Sequence, residues 1–130
     1  DWQQAAIVRR MARDLNFPVR ILVAPTVREL DGLALSSRNQ YLSADERRQA
    51  TVLFRALQHA RQRVRRGAVV AVRLKTEIAE LVAAQPAARL DYAEFFDGNT
   101  LAPVAKVQPG THLALAVFVG KTRLIDNGRL

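Results

Sequence analysis

Leu113-Ala114-Leu115-Ala116-Val117-Phe118-Val119-Gly120-Lys121-Thr122-Arg123-Leu124-Ile125-Asp126 joins an unbroken apolar run to a Gly-Lys step and a shorter, partly polar run. Pro109-Gly110 bounds the first run upstream and Gly120 bounds it downstream. A run this short, rich in Val and Leu and set between turn formers, has the length and composition of a strand. The Gly120-Lys121 turn then predicts that Thr122 to Asp126 folds back as its antiparallel partner. A hairpin this apolar needs a cover.

Leu90, Tyr92 and Glu94 alternate with Asp91, Ala93 and Phe95, which predicts a further strand, and Asp97-Gly98-Asn99 turns the chain after it. The cover is helical. Ser43 and Glu46 have capping-box spacing ahead of an apolar-periodic segment, in which Val52, Leu53, Leu57, Ala60 and Val64 form a buried stripe ending at Arg65-Arg66-Gly67. A second helix is expected from about Val69 to Ala84, with Leu74, Ile78, Leu81 and Val82 inward and Gln85-Pro86 stopping it. Residues 27–130 therefore read as a small α+β domain of two helices and an antiparallel sheet, with Thr26 to Leu42 irregular apart from a turn at Asp31-Gly32.

Residues 1–26 read differently. Ile7, Val8, Met11 and Leu15 recur at helical spacing, Asp1 suits the N-cap, and Phe17-Pro18 ends the helix. Val19 to Ala24 is almost unbroken apolar sequence before Pro25, as in a strand buried on both faces of a parallel sheet. Helix followed by buried strand is the tail of a doubly wound α/β domain. With no neighbouring strands in this chain, that segment is expected to be frayed, exchanged with another copy or paired in a dimer.

Composition narrows the function classes. The 130 residues are 49% hydrophobic and 25% charged, as in a globular chain with a packed core. No apolar run is long enough to span a bilayer, and no signal peptide is evident. Cysteine is absent, which excludes disulfide and thiolate chemistry and fits a cytoplasmic setting. His59 and His112 are far apart, without a metal-ligand partner, so no protein-bound metal is expected. The net charge of +8 comes mostly from arginine, crowded at Arg55, Arg61, Arg63, Arg65 and Arg66. Such a strip could engage nucleic acid or an acidic partner, but it lies on an amphipathic helix without stacking aromatics, the pattern of a solvated face. Asp91, Glu94, Asp97 and Asp126 read as structural acids.

The remaining loop, Asp31-Gly32-Leu33-Ala34-Leu35-Ser36-Ser37-Arg38-Asn39, puts two hydroxyls and a guanidinium side by side. Hydroxyls, backbone N–H groups and a planar five-donor fork suit a polyphosphate, whose charge is spread over several accepting oxygens. A solvated polar turn is the simpler alternative.

Pro25-Thr26-Val27-Arg28-Glu29 before that loop, Tyr41-Leu42-Ser43 after it, Asp1-Trp2-Gln3-Gln4, Leu90-Asp91-Tyr92-Ala93-Glu94 and Thr122-Arg123-Leu124-Ile125-Asp126-Asn127 form an ordered set. In that order they resemble the pantothenate synthetase (pantoate–β-alanine ligase) family. The resemblance implies ATP-dependent condensation of pantoate with β-alanine through pantoyl adenylate, releasing AMP and pyrophosphate. It implies that Ser36, Ser37 and Arg38 close over the triphosphate as catalytic groups, and that Asp1 meets the ATP ribose. Val27 and Leu35 would flank adenine, with Leu35 standing where members commonly have Met, and Gln4 would bind pantoate. From the residues alone, Asp1 is equally a helix cap and Gln4 a first-turn surface residue. Mg2+ bound mainly through phosphates, and a homodimer of the full-length protein, are implied as well. Members carry a nucleotide-binding domain ahead of this region, with a Gly-rich turn, paired histidines and a Gly-Glu-Lys lead-in. The expectation is thus a C-terminal fragment, inactive alone, with residues 1–26 the remnant of the nucleotide-binding domain and 27–130 the lid domain.

Overall fold

The computed structural model describes residues 1–130. Helix α1 (Trp2–Asp14) leads into an extended segment and a 3-10 turn (Ser37–Tyr41), followed by α2 (Ala44–Gln49), α3 (Val52–Arg65), β1 (Val69–Val70) and α4 (Ala71–Ala83). The remainder is β2 (Ala88–Phe96), β3 (Lys106–Val107), β4 (His112–Val119) and β5 (Thr122–Arg129). Helices and antiparallel sheets make a mixed architecture, as the patterning predicts.

The apolar run becomes the central strand: the main sheet has the order β2-β4-β5, antiparallel throughout. Val119 pairs with Thr122 across a turn in which Gly120 takes φ 57, so the two-residue hairpin forms as expected. Its second strand runs past Asp126 to Arg129. Leu113, Leu115, Val117 and Val119 project from one face of β4 into a core that also contains Leu53, Leu57, Leu74 and Ile78 from α3 and α4. The opposite face carries Ala114, Ala116 and Phe118, with the Arg89 guanidinium 4.5 Å from the centre of the Phe118 ring.

Several boundaries differ from expectation for identifiable reasons. The capping box forms, with Ser43 N–H donating to Glu46 Oε2 at 2.8 Å and Glu46 N–H donating to Ser43 Oγ at 3.3 Å. The single helix expected after it is divided at Ala50-Thr51, where the Thr51 hydroxyl donates back to the Arg48 carbonyl at 2.8 Å. Such back-bonding competes with the helical ladder. Val69 and Val70 leave the second helix to pair with Val107 and Lys106 in a separate two-stranded sheet. Leu81 is only half-buried, whereas Leu74, Ile78 and Val82 are buried. In β2 the register shifts between Leu90 and Tyr92, so the inward set passes from Leu90 to Ala93 and Phe95.

The expected strand at Val19–Ala24 does not form. No strand of this chain lies beside it, and Val19, Leu22 and Val23 are exposed. A parallel-sheet strand without neighbours has no ladder to join. Only Ala12 of α1 is buried, while Ile7, Met11 and Leu15 are exposed. No helix is long and apolar enough to cross a membrane.

Candidate functional site

Residues 27–35 form a short ribbon rather than an unstructured loop. Leu35 N–H donates to the Val27 carbonyl at 2.9 Å and Glu29 N–H to the Leu33 carbonyl at 2.8 Å, with Arg28 and Ala34 facing each other between them. Gly32 turns the ribbon at φ 90. The ribbon delivers the chain to Ser36, whose Oγ accepts from Arg38 N–H at 3.2 Å and caps the following 3-10 turn. Ser36, Ser37 and Arg38 thus stand at the N-terminal end of a helical turn and are exposed.

A polar network fixes the base of this loop. Asn39 Nδ2 donates to Glu29 Oε1 at 2.8 Å and to the Ala34 carbonyl at 3.1 Å. Arg47 forks between the two ribbon acids, with Nη2 2.7 Å from Glu29 Oε2 and Nη1 2.7 Å from Asp31 Oδ2. Hydrogen bonding to Arg47 holds both carboxyls below the usual carboxylate range.

A second clamp crosses most of the sequence. The Arg28 guanidinium binds Asp126 of β5 through two bonds, Nη1 to Oδ2 at 2.7 Å and Nη2 to Oδ1 at 2.9 Å, and Nη1 also donates to the Gly32 carbonyl at 3.0 Å. The Asp126 side chain is 1% exposed. Its neighbour Asn127 accepts the Trp2 backbone N–H through Oδ1 at 3.2 Å. Asp1 caps α1 by accepting Gln4 N–H at 3.3 Å.

These ties bring Asp1, Leu35, Ser36 and Arg38 to one cleft of about 210 Å3, with Thr26, Asn39, Asp126 and Asn127 also in its wall. A wider cleft of about 740 Å3 adjoins it, sharing Asp1, Thr26 and Asn127 and containing Trp2, Arg61 and His112. Ser37, Val27 and Gln4 line neither cleft. Val27 is 66% exposed, and Gln4 lies on the first turn of α1. Arg38 presents its donors without a carboxylate partner, whereas Arg28 and Arg47 are paired.

Arg28, Asn39, Asp126 and Asn127 also belong to this region, although no local sequence signal marks them. Arg28 and Asp126 are too distant in sequence for their pairing to be read from spacing, although each lies in a segment that carries the family resemblance. The other acids serve local structure: Asp91 pairs with Arg123, Glu94 with Lys75, and Asp97 accepts the N–H groups of Asn99 and Thr100. The arginine strip is dispersed. Arg63 binds Glu77, Arg61 donates to the Arg129 carbonyl, and Arg55, Arg65 and Arg66 are exposed.

Comparison with known proteins gives one consistent answer. A pantothenate synthetase of Anaeromyxobacter dehalogenans is 55% identical over 131 residues, covering 100% of this chain and 45% of that protein. One from Caldicellulosiruptor saccharolyticus is 48% identical over 98% of this chain and 45% of its own length. The crystal structure of a pantothenate synthetase from Thermus thermophilus superposes with a TM-score of 0.88 at 43% identity, covering 99% of this chain and 46% of that one. The Francisella tularensis pantoate-beta-alanine ligase, solved with beta-gamma ATP and beta-alanine, gives a TM-score of 0.65 at 28% identity, covering 99% of this chain and 40% of that one. The chain therefore spans less than half the length of these relatives. The family model described as pantoate-beta-alanine ligase matches residues 1–129, and the chain belongs to that family.

Proposed function

We propose that this chain supplies the phosphate-closing half of an ATP-dependent ligase that condenses pantoate with β-alanine. Residues 1–26 would complete a doubly wound nucleotide-binding domain, and residues 27–130 would form the lid over it. Forming an amide in water is uphill, so the pantoate carboxylate first attacks the α-phosphorus of ATP and pyrophosphate departs. The amine of β-alanine then attacks the acyl carbon of pantoyl adenylate, and AMP leaves. Negative charge builds on phosphate oxygens during adenylation, where preorganised donors contribute most.

The observation that carries this reading is the common cleft of Asp1, Leu35, Ser36 and Arg38. Arg38 would bridge phosphate oxygens with its unpaired fork, and Ser36 and Ser37 would donate hydroxyl and backbone hydrogen bonds. The Asp1 oxygen not engaged with Gln4 would accept from a ribose hydroxyl. Leu35 and Val27, joined by the Leu35 N–H bond, would flank adenine, and the exposed Gln4 amide would face pantoate. Mg2+ would arrive with the triphosphate and be held mainly by phosphate and water. A homodimeric, cytoplasmic enzyme belongs to the same proposal.

The test is Arg38→Ala in the full-length ligase carrying this sequence. By analogy with arginine fingers, kcat should fall roughly 10³-fold, with a much smaller change in KM for ATP. Arg38→Lys, which keeps the charge without the fork, should recover only part of the loss. Turnover near wild type in both variants would remove the phosphate role from this loop.

A further inference from the structure

We propose that Asp126 and Asn127 of β5 are positioning residues of the ligase, a two-residue anchor that sets both halves of the ligand cleft on one rigid strand. The inference rests on the assignment of the Asp1 and Ser36–Arg38 segments to ATP. Those segments are far apart in the chain; the ribbon that leads into the second is bonded to Asp126 through Arg28, and Trp2, next to Asp1, is bonded to Asn127.

Asp126 acts through Arg28. Its two oxygens take up the guanidinium fork, and the third hydrogen bond of that fork holds the Gly32 carbonyl at the ribbon turn. The guanidinium lies 4.9 Å from the centre of the Phe54 ring of α3, which restricts it on another side. Arg28 adjoins Val27 and faces Ala34, the residue before Leu35, so fixing Arg28 fixes the ribbon from which Ser36 to Arg38 project. Asn127 acts through Trp2, whose backbone N–H it accepts one residue from Asp1. The Trp2 indole N–H donates to the Gly98 carbonyl at 3.0 Å, which stops that end of α1 from pivoting about the Asn127 bond.

β5 suits an anchor because it pairs with β4 along its whole length, from Thr122 against Val119 to Arg129 against His112. A phosphate-gripping loop held only by its own turn would sample many positions. A bidentate pair of charge-assisted bonds to a buried carboxylate limits that sampling, and placement errors near 1 Å are enough to lower rates roughly 100-fold. Asp126 is buried and engaged with Arg28, so its role is to place other groups rather than to touch substrate.

The test uses the full-length ligase carrying this sequence, with ATP, pantoate and β-alanine each varied. Removing one partner alone would strand a buried charge, so the decisive variant is Arg28→Met/Asp126→Leu, which removes both charges and keeps apolar volume. It should melt near wild type yet lose roughly 100-fold in kcat/KM for ATP, with KM for β-alanine within about threefold. Arg28→Lys, which retains the charge but not the fork, should fold and give an intermediate loss. Asn127→Leu, which leaves the Arg28 pair intact, should raise KM for ATP without changing the melting temperature by more than a few degrees. Wild-type kinetics in folded Arg28→Lys and Asn127→Leu would overturn the anchor even if the double variant fails to fold. Arg38→Ala run in parallel separates the two readings: a crippled Arg38→Ala beside normal anchor variants defeats only the anchor, whereas normal turnover in Arg38→Ala defeats the ATP assignment beneath it.

Discussion

Trp2 and His112 stack with ring centroids 4.6 Å apart and planes inclined by 21°, joining the first turn of α1 to the start of β4. Phe96 lies on the same imidazole at 5.7 Å, so His112 is held within an aromatic cluster. Burial, reinforced by the Arg129 charge, pushes its pKa below the ordinary value of 6.5, with Asp97 opposing more weakly. Nδ1 is buried without a hydrogen-bond partner.

A buried neutral histidine makes stability depend on pH in a definite direction. Between its folded and unfolded pKa values the unfolded chain binds more protons, so stability is complete above about pH 6.5 and falls as pH drops toward the folded value. His112→Phe retains the aromatic stack and removes the titration. Thermal melts of the two chains between about pH 7.5 and pH 5 should show a shallower decline for His112→Phe; parallel declines would show that His112 does not take part.

The Glu29–Asp31–Arg47 network predicts a separate acid transition. Both carboxyls are held below their ordinary values by Arg47, so their contribution is present above the unfolded carboxylate range and is lost as pH falls through the lowered folded values. Arg47→Ala removes the shared partner. Its melting temperature should fall relative to wild type at neutral pH, and the gap should narrow below about pH 4, where the wild-type carboxylates also protonate. A gap that stays constant across the acid range would mean that Arg47 stabilises by packing rather than by charge.

Local signals were enough to read part of this molecule from its sequence. The β4–β5 hairpin needs only an apolar run and a glycine turn, and the α2 cap needs only Ser43 and Glu46. The stripe from Val52 to Val64 is likewise a matter of spacing, and all five of its residues are buried. What escaped reading depends on partners. Val69 and Val70 look helical until Lys106 and Val107 arrive beside them, and the β2 bulge becomes evident only when Leu90 and Tyr92 are paired with β4. The same holds for the site. Ser36, Ser37 and Arg38 carry recognisable chemistry within one tripeptide, whereas the Arg28–Asp126 clamp requires the fold to bring its halves together. Val19–Ala24 marks the opposite limit: its apolar run reads as a strand, yet it joins neither sheet of this chain.

Gly32 shows how closely the loop depends on the helix beneath it. Its φ of 90 is costly for any residue with a side chain, and a Cβ there would overlap the Phe54 ring. That ring in turn lies against the Arg28 guanidinium, so the turn, the ring and the clamp form one packed unit. Gly32→Ala combines backbone strain, on the order of 1–3 kcal/mol, with displacement of Phe54, and should lower the melting temperature of this chain by several degrees. Phe54→Leu in the same chain relieves the overlap but leaves the strain. The double variant should therefore be more stable than the sum of the two single losses predicts, by about 0.5–3 kcal/mol, the range found for contacting residues. Strict additivity in urea denaturation would mean that the strain at φ 90, and not the ring, accounts for the whole cost of a side chain at position 32.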